Sequence, residues 1–214
     1  MLNLSASEII SRIITLIIAF SLHEFAHAKT ADLLGDDTPR QAGRLTLNPL
    51  VHLDPIGTLM LILVGFGWAK PVPINPAAVR RNNKAGLMLV SLAGPFTNFA
   101  LALVVSLLFR FNLVSPYSTS TGILPTLGQF LLEFIYINVM LFLFNLLPLA
   151  PLDGEKVLEF LLPEKFQPVF AQIRQYGPYV LLLLAFIGPQ IGFDLFGVIL
   201  REPLLRITRF LAGL

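Results

Sequence analysis

Residues 21–28 read Ser-Leu-His-Glu-Phe-Ala-His-Ala and lie inside an apolar run. On a helix, positions i and i+4 stand one above the other, so His23 and His27 present two imidazoles to one side. Glu24 stands beside that face. Two neutral imidazoles suit a zinc ion, and an adjacent carboxylate suits a general base for metal-bound water. A solvated helix face would explain the same residues blandly, but little solvated face exists here. Ile9, Ile10, Ile13, Ile14, Leu16, Ile17, Ile18, Ala19, Phe20 and Leu22 precede the motif. Ionisable groups at such depth are costly and mark function by default. Two histidines leave the site one protein ligand short.

Composition sets where such a site can lie. Of 214 residues, 55% are hydrophobic and 13% charged, whereas a soluble domain carries about a quarter charged residues. The chain belongs in a membrane. It has no cysteine, so a metal must use His, Asp, Glu, backbone or water. The net charge of +2 gives no footprint for nucleic acid. The apolar N-terminal run lacks a basic start and continues into the motif, so it reads as a span rather than a cleaved leader.

The pattern predicts an all-α membrane protein, a polytopic helical bundle forming one metal-bearing core over residues 1–214. Spans are expected at about 7–34, 85–110, 128–147 and 179–200, the last broken by Gly188-Pro189 and Asp194 into either a kinked span or two shorter pieces. Gly94-Pro95 is expected to bend the second span. Between the first two spans, about 45–75, the prolines exclude one long helix. Arg44–Leu47 and Trp68–Ile74 read as extended, and Ile56–Phe66 is apolar but short for a span, so a re-entrant, β-like segment is expected. The basic residues Arg40, Arg44, Lys70, Arg80, Arg81 and Lys84 put this connection on the cytoplasmic side. Residues 201–214 mix arginines with leucines and read as an interfacial amphipathic tail.

Asp153, between Pro151-Leu152 and Gly154 at the end of the third span, is the candidate third ligand. It would serve equally as an N-cap for the residues that follow, and the two roles can coincide. Ligands of one ion share one depth. With the first span running inward, a segment that re-enters rather than crosses returns Asp153 to the side of the histidines. The site then lies about 10–17 Å from the Leu34 end of the first helix, at about 1.5 Å per residue.

Together these residues resemble the site-2 protease family of intramembrane zinc metalloproteases. His23-Glu24-x-x-His27 pairs with Asn145-x-x-Pro148-x-x-x-Leu152-Asp153-Gly154. Asn48-Pro49-Leu50-Val51-His52-Leu53-Asp54-Pro55-x-Gly57, Gly67-Trp68-Ala69-Lys70-Pro71-Val72-Pro73 and Ala93-Gly94-Pro95-x-x-Asn98 are similar to motifs of its short prokaryotic branch, which lacks appended regulatory domains. The resemblance covers roughly residues 15 to 160. It implies one zinc per chain on His23, His27 and Asp153, with Glu24 as catalytic base. It also implies that Asn98 lies near the catalytic water or holds the substrate or its oxyanion; an interhelical hydrogen bond is the plain alternative. His52 reads as a loop histidine rather than a ligand. Glu155-Lys156, where the family often has small or basic residues, departs from the pattern.

The implied activity is hydrolysis of peptide bonds within or near transmembrane segments. The implied substrates are membrane proteins, and the setting is the prokaryotic inner membrane, with the site nearer the cytoplasm. Trp68–Ile74 is expected to pair with an unwound substrate strand. Two rivals remain: a membrane zinc hydrolase of another substrate class, and a non-catalytic metal-binding membrane protein. Glu24 separates the last from the others, since a storage or transport site needs ligands but no base. Substrate identity and oligomeric state are outside what these residues encode.

Overall fold

The computed structural model describes residues 5–64, 67–118 and 122–214. The first helix, α1 (Ala6–Leu33), starts from a capping box: Ser5 accepts from the Glu8 backbone N–H, and the Glu8 carboxylate accepts from the Ser5 N–H. Its buried face recurs every four residues, through Ser7, Ser11, Thr15, Ala19, His23, His27 and Ala31. The inner side of α1 is thus small and polar, while Ile9, Ile13, Ile14 and Ile18 face outward. This is what a membrane span with a polar interior requires.

Four short helices follow: α2 (Thr38–Gln41), α3 (Pro49–His52), α4 (Pro55–Val64) and α5 (Pro76–Asn82). The expected β-like re-entrant segment, about 45–75, is not found among the described residues; Gly65 and Phe66, within it, lie outside them. Pro39, Pro49, Pro55 and Pro76 stand in the first turns of helices here, whereas Pro71 and Pro73 lie in irregular chain. Asn48 caps α3 by accepting from the Leu50 N–H, and Asn75 caps α5, each followed by proline at the first helical position. Asp54 similarly accepts from the Gly57 N–H at the start of α4. Proline lacks the N–H that a first turn leaves unpaired, and its φ already suits the helix. Of the extended pairing, one isolated antiparallel bridge remains, Leu53 with Ala69.

Two more long helices complete the bundle, α6 (Gly86–Arg110) and α7 (Leu127–Asn145). Helix α6 continues through Pro95. Thr126 caps α7 through the Gln129 N–H. With α1, these are three helices long and apolar enough to cross a membrane. One cluster packs Leu16 and Ala19 of α1 on Ile137 and Leu141 of α7; another joins Ala31 of α1, Val79 of α5 and Val90 of α6.

The chain then turns through α8 (Gly154–Leu161) and α9 (Gln167–Arg174) to α10 (Gly177–Leu182). The expected fourth span over 179–200 is not one helix. A π-helical turn, Leu183–Ile187, follows α10; Gly192 at φ +80° reverses the chain, and Asp194 caps α11 (Leu195–Ala212). Glycine meets the left-handed φ without a Cβ penalty. The tail is not a separate interfacial helix either. It is part of α11, whose Leu204, Leu211 and Ala212 pack with Ala102, Phe109, Leu131, Ile135 and Val139.

Candidate metal centre

The second and third turns from the end of α1 bring His27 and His23 against α6, both buried. Each ring is held at its far nitrogen. His27 Nδ1 lies 2.7 Å from the Val90 carbonyl, which can only accept, so Nδ1 carries the proton. His23 Nδ1 lies 2.6 Å from Asn98 Oδ1. A chain of amides settles that bond. Asn138 Nδ2 donates to the Phe134 carbonyl, leaving its Oδ1 to accept from Asn98 Nδ2 at 2.9 Å. Asn98 Nδ2 also faces the Ala19 carbonyl at 3.4 Å. Asn98 Oδ1 is therefore an acceptor, and His23 Nδ1 donates to it. Both Nε2 atoms are left with bare lone pairs.

Those lone pairs converge on Asp153, at the N-cap of α8. The two Nε2 atoms are 3.0 Å apart; His23 Nε2 is 3.2 Å from Asp153 Oδ2, and His27 Nε2 is 3.4 Å from Oδ1. Oδ2 is buried without a hydrogen-bond partner. Three electron-rich groups this close repel unless a cation lies among them. Tetrahedral ligands at about 2.0–2.1 Å from a zinc ion stand about 3.3 Å apart, so the spacing fits. Gly94 supplies the room. A Cβ there would lie 2.4 Å from His27 Nε2 and 2.6 Å from His23 Nε2. Outer partners that fix tautomer and ring orientation are the usual support of histidine metal ligands.

Glu24 is also buried, and among the described residues its carboxylate makes no hydrogen bond or ion pair. Its charge reaches His27 and Arg44. Arg44 is buried in the loop layer and donates to the carbonyls of Val51, Lys70 and Pro71, the last at 2.7 Å. Burial lowers the affinity of its guanidinium for a proton and Glu24 partly restores it; the group stays charged.

Asn98 is fully buried, and its amide hydrogens point to Ala19 and Asn138. Its Oδ1 holds the His23 ring. His52 is apart from the centre, fully buried, with Nε2 donating to the Thr46 carbonyl at 2.7 Å. Sequence reasoning missed three contributors. Gly94 was read as a bend, though a glycine before proline in a span is also a place for close approach. Asn138, a lone amide in an apolar helix, carries the signal of intramembrane polarity. The Val90 carbonyl carries none, because any residue has one.

Two buried histidines on a membrane-length helix and a partly buried aspartate on the turn after another form a group that could hold a metal ion, in a chain with the helices of a membrane protein. The profile of Peptidase family M50 matches residues 112–188. A Bacillus subtilis (strain 168) protein named "Putative zinc metalloprotease YwhC" is 43% identical over 83% of this chain and 80% of its own length. One of Mycobacterium tuberculosis (strain H37Rv), named "Putative zinc metalloprotease Rip2", is 32% identical over 86% of this chain and 69% of its own. No solved structure matches. The chain belongs to Peptidase family M50: it is a metalloprotease and an integral membrane protein, and the names of its relatives point to zinc.

Proposed function

We propose that the protein is an intramembrane endopeptidase, carrying one zinc ion on His23, His27 and Asp153 and cutting peptide bonds within or near transmembrane segments of other proteins. The observation that carries this reading is the convergence of two bare imidazole nitrogens and an unpartnered carboxylate oxygen, 3.0–3.4 Å apart, beside the gap at Gly94. When bound there, zinc supplies a Lewis acid that activates water and polarises a carbonyl. The chain's own groups do the rest. Glu24, unpartnered and adjacent, accepts the proton of the attacking water and passes it to the leaving amine. Asn98 and the Val90 carbonyl hold the two rings in the tautomer that leaves Nε2 free. Apolar helices keep bulk water from competing with the substrate.

The basic residues between α1 and α6 support a cytoplasmic placement for the site-bearing end of the bundle, in a prokaryotic inner membrane. The test is metal analysis of wild type beside His23→Ala, His27→Ala and Asp153→Ala, with a cleavage assay on a detergent-solubilised transmembrane peptide. Wild type should hold one zinc, the three variants little, and none of the three should cleave. Glu24→Gln should keep its zinc while turnover falls by about 10²–10⁴-fold. Unaltered cleavage by Glu24→Gln would remove the base, and hydrolysis of lipid but not peptide would place the substrate in another class.

A further inference from the structure

The two halves of the centre are held by different forces. Asp153 is anchored closely by the backbone behind it and by its buried neighbour Leu152. A Cβ on Gly154 would lie 2.3 Å from the Leu146 carbonyl oxygen and 2.4 Å from that of Leu147, so the turn folds tightly on the end of α7. Beyond that contact α8 packs on α6, but little of it is fully buried. Gly154 and Glu155 are the buried residues of α8, and α9 has none. None of the three apolar clusters includes a residue of either helix. Between α8 and α5 lies a cavity of about 360 Å³, lined in part by Val72, Ile74, Leu87 and Val90.

Charge bridges that gap. Arg80 of α5 donates to Glu159 Oε1 at 2.8 Å. Glu159 Oε2 also takes Arg174 of α9 at 3.2 Å and Lys156 at 3.4 Å. Lys156 reaches Glu155 Oε2 at 2.8 Å, and Arg174 stands 3.5 Å from Glu155 Oε1. One carboxylate thus serves three cations, and both carboxylates are largely shielded, with side-chain exposures of 22% and 6%. An isolated exposed pair stabilises little, whereas a shared, partly buried network holds geometry. Arg80 follows Val79, which packs with Ala31 and with Val90, the residue whose carbonyl orients His27. The network therefore links the helix that starts at Asp153 to the wall that holds the histidines.

We infer that Glu159, with Arg80 and Arg174, is a positioning device for the third metal ligand, making zinc retention sensitive to ionic strength. This rests on the metal-centre reading above. Glu155 and Lys156, the departure from the family pattern, are members of the same network, and Lys156 is turned to Glu155 and Glu159.

The test measures zinc affinity of the full chain in detergent by competition with a chelator. Glu159→Gln should weaken zinc about 10-fold, at the lower end of what outer partners of metal ligands contribute. Wild-type affinity should fall several-fold from low to high sodium chloride, and that of Glu159→Gln should fall much less. The chain has no cysteine, so Arg80→Cys with Glu159→Cys can be joined by a short bismaleimide. The joined protein should regain most of the affinity and lose the salt response; the unjoined double variant should resemble Glu159→Gln. Wild-type affinity in Glu159→Gln, or no recovery on joining, overturns the inference. His23→Ala keeps the two failures apart. If it loses zinc while Glu159→Gln does not, only the positioning role falls; if it keeps zinc, the metal centre falls too.

Discussion

The histidines and the aspartate meet at one point, yet they arrive from unlike surroundings. His23 and His27 sit on α1, whose inner face packs against α6 and α7, and each ring is pinned by a buried acceptor on α6. Asp153 hangs from a turn after α7, backed by a glycine contact and a set of ion pairs at the bundle's edge. One side is fixed by apolar packing and neutral hydrogen bonds, which salt scarcely touches. The other is held by a backbone contact and braced in addition by charges, which salt screens. A metal site assembled this way has a rigid half and an adjustable half.

The contrast can be broken hardest at Gly94. Gly94→Ala places a methyl group in the space between the two Nε2 atoms, so bound zinc should drop to near zero at every salt concentration, read by metal analysis of a protein whose helical circular dichroism is unchanged. Full zinc in that variant would mean the ion is held elsewhere. Next comes Asn98→Ala, which frees the His23 ring and strands its N–H. Zinc affinity should weaken by about 10–100-fold, and thermal stability should fall by about 1–3 kcal/mol for the unpaired buried donor. Asn138→Ala, one bond further out, should follow in the same direction with a smaller loss. Both should keep the wild-type salt response, since the Glu159 pairs are intact in them, and loss of that response, as expected for Glu159→Gln, would dissolve the distinction between the halves.

The smallest effect concerns acid. Burial pushes the Glu159 carboxyl up, and Lys156, Arg80 and Arg174 reverse this and hold it below its ordinary 4.5. Its contribution is therefore complete above that ordinary value and is lost as pH falls through the lower folded value. The difference in Tm between wild type and Glu159→Gln, worth no more than about 1 kcal/mol, should be present at neutral pH and close in strong acid. A difference that persists unchanged in acid would show that the pairs are not its source.

Much of this was legible in the residues. The i, i+4 spacing of His23 and His27 is a property of any helix, and the length and apolarity of three helices follow from composition along the chain. Asp153 stood out as a carboxylate after a span. The loops were less legible. Proline reads as an end of one segment or the start of another, and only the caps at Asn48, Asp54 and Asn75 decide for helices. The packing of the tail was hidden for a related reason. The arginines of α11 suggest a surface, while the burial of Leu204, Leu211 and Ala212 depends on α6 and α7 being there to receive them.

By itself, then, the sequence determined which side chains could bind a metal, that two of them share a helix face, and that the chain lives in a membrane. Those are consequences of local periodicity and of transfer free energy, which need no knowledge of neighbours. The tertiary structure decided the rest: the tautomer of His23 through an amide 75 residues away, the open space at Gly94, and the ion pairs behind Asp153. Each of these is a contact between separate helices, and such contacts are set by how the helices pack rather than by any one stretch of chain.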